Sequence, residues 1–137
     1  MQETEMKFDP VEKPRHYVIA SVIVEPIELL RHAPFDFGNA MKYVLRADFK
    51  GNRLEDLKKA LWYLKCADES ATYDLTPYQA FFDRYGSLFR LFFNFLENES
   101  TEGAVAIAFP LASVALRKYV KREIMLEELR QGEKENG

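Results

Sequence analysis

Asn39, Lys42, Tyr43 and Arg46 fall within about a third of a turn of one another at 100° per residue, so a helix presents them on a single face. An amide, a phenol and two cations are groups that grip phosphate. The cations supply charge, and the amide and phenol supply directed hydrogen bonds. Asp56, Lys59 and Tyr63 repeat at i, i+3, i+7 and form a second polar stripe of the same kind. Gly38, near the start of the first of these helices, would let an anion approach the backbone N–H groups at the helix's positive end. From the residues alone the plainer use comes first: Gly38 permits close helix packing, and the cations stand in solvent.

Other chemistry has less to work with. None of the glycines lies in a G-x-x-x-x-G-K-[ST] loop, so phosphate binding has to use helix ends and side chains. His16 and His32 are too isolated for a metal cluster, and the single cysteine, Cys66, has neither a disulfide partner nor an evident catalytic one. His16, within Arg15-His16-Tyr17, serves as a general acid or base only if the fold brings it to the groove. Glu25 and Glu28, with Glu55 and Asp56, are the carboxylates from two helices that would hold Mg²⁺. The main reading assigns no metal and no cofactor.

The elements that must position these residues are helical. Phe37, Met41, Val44 and Leu45 give a helix over about Asp36 to Ala47 its apolar side. Asn52, with Glu55 three residues on, caps the next helix, which runs to about Ser70 with Leu54, Leu57, Leu61 and Leu64 as its core stripe. Upstream, Tyr17 to Val24 is rich in β-branched residues but has no evident strand partner, so an extended segment packed on helices is expected. Pro26 begins a short helix. Downstream, Thr76-Pro77 opens a helix whose aromatic face reaches from Phe81 to Leu96, and Ser100 or Thr101 caps a last one that bends or restarts at Pro110 and frays after Leu129. The aromatic face is wide enough for either a subunit interface or an unusually thick core.

A chain of 137 residues, 47% of them hydrophobic, folds as one domain with a real core. The expected organisation is an arm over 1–12, a single all-α bundle of four to five helices over 13–130 with an extended N-terminal segment, and a disordered tail over 131–137. The net charge of −3 argues against a general nucleic-acid binder, although a local basic site is compatible with it. The residues before Glu12 lack the apolar core of a secretory signal, and Gly103 to Leu116 is too short to span a bilayer. A soluble, cytoplasmic homo-oligomer is the expectation.

Pro14-x-His16-Tyr17, Glu25-Pro26-Ile27-Glu28, the run from Phe37 to Ala47 and the run from Glu55 to Leu64 together resemble a family of small phage and prophage proteins that includes a nucleotide kinase unrelated to P-loop kinases. The likeness covers about Pro14 to Leu64, and Asp48 replaces the glycine usual after the Arg-Ala pair. The resemblance implies binding of, or phosphoryl transfer to, a deoxynucleoside monophosphate. Lys42, Arg46 and Lys59 would neutralise phosphate oxygens, Asn39 and Tyr43 would orient the nucleotide with Gly38 and Tyr63 beside them, and His16 or Asp56 would manage a proton. Leu54 to Leu64 also resembles, more distantly, the second metal-binding helix of MazG-like all-α nucleoside triphosphate pyrophosphohydrolases. Asp56 matches its first acid, and Lys59 stands where its second acid belongs. A cation there repels Mg²⁺ and meets phosphate directly. The expected function is therefore a metal-independent nucleotide kinase. A Mg²⁺-dependent pyrophosphohydrolase is the alternative, and a non-enzymatic phage protein acting through oligomerisation or a host partner is the third reading.

Overall fold

The computed structural model describes residues 17–19, 22–49, 51–93 and 107–136. It is an all-α domain of five helices preceded by a short hairpin: β1 (Tyr17–Ile19), β2 (Val22–Val24), α1 (Pro26–Leu30), α2 (Phe35–Ala47), α3 (Arg53–Tyr73), α4 (Thr76–Phe92) and α5 (Phe109–Asn136). The extended segment expected over Tyr17 to Val24 supplies its own strand partner. β1 and β2 pair antiparallel, with Tyr17 opposite Val24 and Ile19 opposite Val22. His16 and the arm over 1–12 lie outside the described residues.

α1 opens on Pro26 in its first turn, where the missing N–H interrupts no helical hydrogen bond, and it buries Leu29. α2 follows Pro34 and turns Phe37, Ala40, Met41, Val44 and Ala47 inward. Gly51, at φ +48°, makes the left-handed step between α2 and α3 that a side chain would resist. Asn52 then caps α3, its Oδ1 accepting the Glu55 backbone N–H at 3.0 Å. The buried stripe of α3 is Leu57, Ala60, Leu64 and Ala67 with Asp56 beside it, so it is turned from the expected leucine stripe toward the alanines. Ala40 and Ala47 of α2 are buried as well, and small residues on both helices allow close approach. Leu54 and Leu61 are left partly buried at the edge.

α4 departs from expectation at its start. Leu75, not Thr76, holds the N-cap position, and Asp74 Oδ1 accepts the Thr76 N–H at 3.0 Å. Its described part ends at Phe92, and Phe95 and Leu96 lie outside the described residues, as do Ser100 and Thr101. α5 begins at Phe109, where a start near Pro110 was expected, and Pro110 sits in the first turn where a proline is tolerated. It continues to Asn136 through the stretch expected to fray. Glu, Lys, Arg and Gln there are strong helix formers, and Glu127 pairs with Arg130 one turn on. No helix among the described residues is long and apolar enough to cross a membrane.

The aromatic face of α4 is covered within the chain. Phe37 of α2 is fully buried, with its ring centroid 5.3 Å from Phe82, 5.5 Å from Phe89 and 5.8 Å from Phe109 of α5. The thick-core reading thus accounts for Phe81, Phe82, Phe89 and Phe92, all buried. Truncating a fully buried aromatic removes its contacts and leaves a cavity. Phe37→Ala is therefore expected to cost about 3–5 kcal/mol in chemical denaturation, and a loss below about 1 kcal/mol would show that Phe37 does not join the three helices.

Candidate functional site

α2 and α3 form an antiparallel hairpin, with Asp36 meeting Ser70 near one end and Arg46 meeting Asp56 near the other. On each helix a tyrosine stands at the border between the buried stripe and the polar face. The Tyr43 and Tyr63 rings consequently stack across the helix pair at 6.0 Å and 10°. The ammonium of Lys42 lies 4.8 Å and that of Lys59 5.4 Å from the Tyr43 ring centroid, within cation–π range. Beside them lies an open cleft of about 650 Å³. Tyr43 forms one wall, Asn52, Leu54, Glu55, Lys58, Lys59, Trp62 and Tyr63 supply most of the rest, and Gln131 reaches in from α5.

The residues expected to form the site divide into those the fold gathers and those it does not. Tyr43, Lys59 and Tyr63 line the cleft, and Lys42 stands beside it. Arg46 is held 3.5 Å from Asp56. The Asp56 side chain is only 6% exposed and faces the Arg46 guanidinium. Asn39 donates back to the Phe35 carbonyl at 3.0 Å, which engages its amide inside α2. Gly38 lies against the end of α1, with room for a Cβ at ordinary contact distance. Its N–H already donates to the Pro34 carbonyl at 2.8 Å, and a Cβ there would stand 3.4 Å from the Leu30 carbonyl oxygen, against α1.

Of the carboxylates considered for Mg²⁺, Glu55 and Asp56 on α3 each face a cation. Glu55 lies 3.5 Å from Lys59, Asp56 faces Arg46, and no group of three or more His, Cys, Asp or Glu among the described residues is placed to hold a metal. Burial, with Asp36 and Glu69 adding to it, pushes the Cys66 thiol up, which keeps the thiolate scarce and argues against a nucleophile.

Sequence reasoning missed Arg53, Lys58, Trp62 and Gln131. Arg53 Nη1 and Nη2 lie 2.7 Å from Asp48 and from Glu123 of α5, and Nε is 3.7 Å from Glu127. Burial works against its charge, but the Asp48 and Glu123 carboxylates outweigh that and raise its pKa. Arg53 and the Lys58–Glu128 pair, 3.6 Å apart, tie the C-terminal half of α5 to the start of α3, and this brings Gln131 to the cleft. The partners are some 70 residues apart in sequence, and only the antiparallel return of α5 joins them. Lys58 and Trp62 fall on the outward face of α3, a signal available at helical spacing. Gly38→Ala should leave ligand affinity unchanged and hold stability level or raise it by up to about 1 kcal/mol, measured by thermal unfolding and titration. A loss of affinity with the fold intact would return Gly38 to the site.

Residues 11–65 match a family described as a protein of unknown function, DUF3310. The match takes in α2 and the part of α3 that builds the cleft, from Tyr43 to Tyr63, and stops short of Gln131. No curated protein matches the chain, and no solved structure does.

Proposed function

We propose that the cleft binds the phosphate end of a nucleotide and that the chain is a phage-derived, cytoplasmic nucleoside monophosphate kinase. The observation that carries the reading is the pair of ammoniums, Lys42 and Lys59, set around one tyrosine ring at the wall of a nucleotide-sized cleft. The resemblance of the α2 and α3 runs to the phage nucleotide kinase supplies the reaction. In phosphoryl transfer the bond from the terminal phosphorus to its donor oxygen breaks as a bond to an acceptor phosphate oxygen forms, and catalysis is mostly alignment and charge stabilisation. Lys59 and Lys42 would balance the charge on the transferring group, the Tyr43 phenol would orient the acceptor phosphate, and Arg46 would add charge from its place against Asp56. His16 is the proposed proton carrier. Under the hydrolase alternative Glu55 and Asp56 would have to leave the cations they face to hold Mg²⁺.

Lys59 is half exposed, and its pair with Glu55 is worth about 0–1 kcal/mol, so a phosphate displaces the carboxylate readily. A charge-assisted contact to phosphate is stronger, about 1.5–3 kcal/mol. In calorimetric titration with nucleoside mono- and triphosphates, Lys59→Ala is expected to weaken monophosphate binding about 10-fold or more, whereas Glu55→Gln tightens it by about 2–5-fold. Absence of binding by any nucleotide would sink the proposal, and binding without turnover of a monophosphate would remove the kinase part.

A further inference from the structure

Trp62 is the sole tryptophan of the chain and is 60% exposed, although tryptophan is normally among the most buried residue types on average. It lines the same cleft as Lys58 and Lys59. The two tyrosines of the cleft are occupied. Tyr43 stacks on Tyr63 and carries two ammoniums, and Tyr63 additionally meets the edge of Phe35 at 6.5 Å. At a centroid separation of 6.0 Å between near-parallel planes, they leave no room for a base to enter between them. Trp62 is different. It meets Tyr63 edge-to-face at 5.1 Å and 80°, a contact that fixes the indole plane while most of its surface remains open. On the wheel of α3, Lys58 precedes Trp62 by four residues and Lys59 by three, so the two lysines share the cleft wall with the indole while their ammoniums face Glu128 and Glu55.

We infer that Trp62 is the stacking platform for the base of the bound nucleotide. This inference rests on the reading of the cleft as a nucleotide site and names the part of the ligand that the cations cannot recognise. An exposed indole on a cleft wall shared with two lysines fits a planar π-face joined to a phosphate. Stacking tolerates any base, so the platform gives affinity for nucleotides over other phosphate esters without selecting among bases.

The test compares inorganic pyrophosphate, ribose 5-phosphate, and the monophosphates of adenosine, guanosine and thymidine, followed by Trp62 fluorescence and by calorimetry. All three nucleotides are expected to quench the indole emission and to bind about 10-fold more tightly than ribose 5-phosphate. Trp62→Ala should remove that advantage while leaving pyrophosphate binding unchanged, and Trp62→Phe should restore part of it. Nucleotides and ribose 5-phosphate binding alike, with Trp62→Ala without effect, would overturn the platform and leave the phosphate site standing. No binding by any of the five would overturn both.

Discussion

Burial of Phe37 is the constraint from which the rest of the arrangement follows. Its ring touches α4 and α5 at once, so α2 has one orientation in which the core closes. With Phe37, Met41 and Val44 turned inward, the 3.6-residue period places Tyr43 at the border of the core and leaves Lys42 and Arg46 outside it. α3 is bound by the same logic through Leu57, Ala60 and Leu64, which sets Tyr63 opposite Tyr43 and sends Trp62, Lys58 and Lys59 to the outer face. The cleft is therefore a consequence of how two helices share one core, and rigid elements hold its groups.

The cations differ in how firmly they are committed. Arg46, itself more than half exposed, faces a nearly buried carboxylate at Asp56, so removing the guanidinium leaves that carboxylate uncompensated. Lys59 and Lys58 face Glu55 and Glu128 in pairs that are half exposed on both sides, so their charge is available to an incoming anion. Arg53 belongs to a third class. Shared among Asp48, Glu123 and Glu127, it fastens α5 to the α2–α3 turn and carries structure, not binding.

The sequence was most legible where local rules decide. The α2 and α3 boundaries followed from apolar periodicity and from the Asn52 cap, and the polar stripes placed Tyr43 and Tyr63 beside the core without showing that their rings stack. It was least legible where distant segments meet. The partner strand of the hairpin was hidden because two runs of three residues look like one. The aromatic face of α4 looked like surplus surface because nothing local says that Phe37 and Phe109 will cover it. Gly38 was read toward a ligand because the nearness of α1, brought about by the turn before Phe35, is a tertiary fact. Gln131 reaches the cleft only because α5 continues through a charged stretch that composition alone read as a tail.

The most direct measurement of the central claim is an amide chemical-shift titration of the isotope-labelled protein with a nucleoside monophosphate. The arrangement described here predicts perturbations concentrated at Tyr43, over Lys58 to Tyr63 and at Gln131, on three elements that meet only at the cleft. Perturbations centred instead on Gly38 and α1, or on the Asp68–Ser113–Arg117 contact between α3 and α5, would place the ligand elsewhere and contradict it.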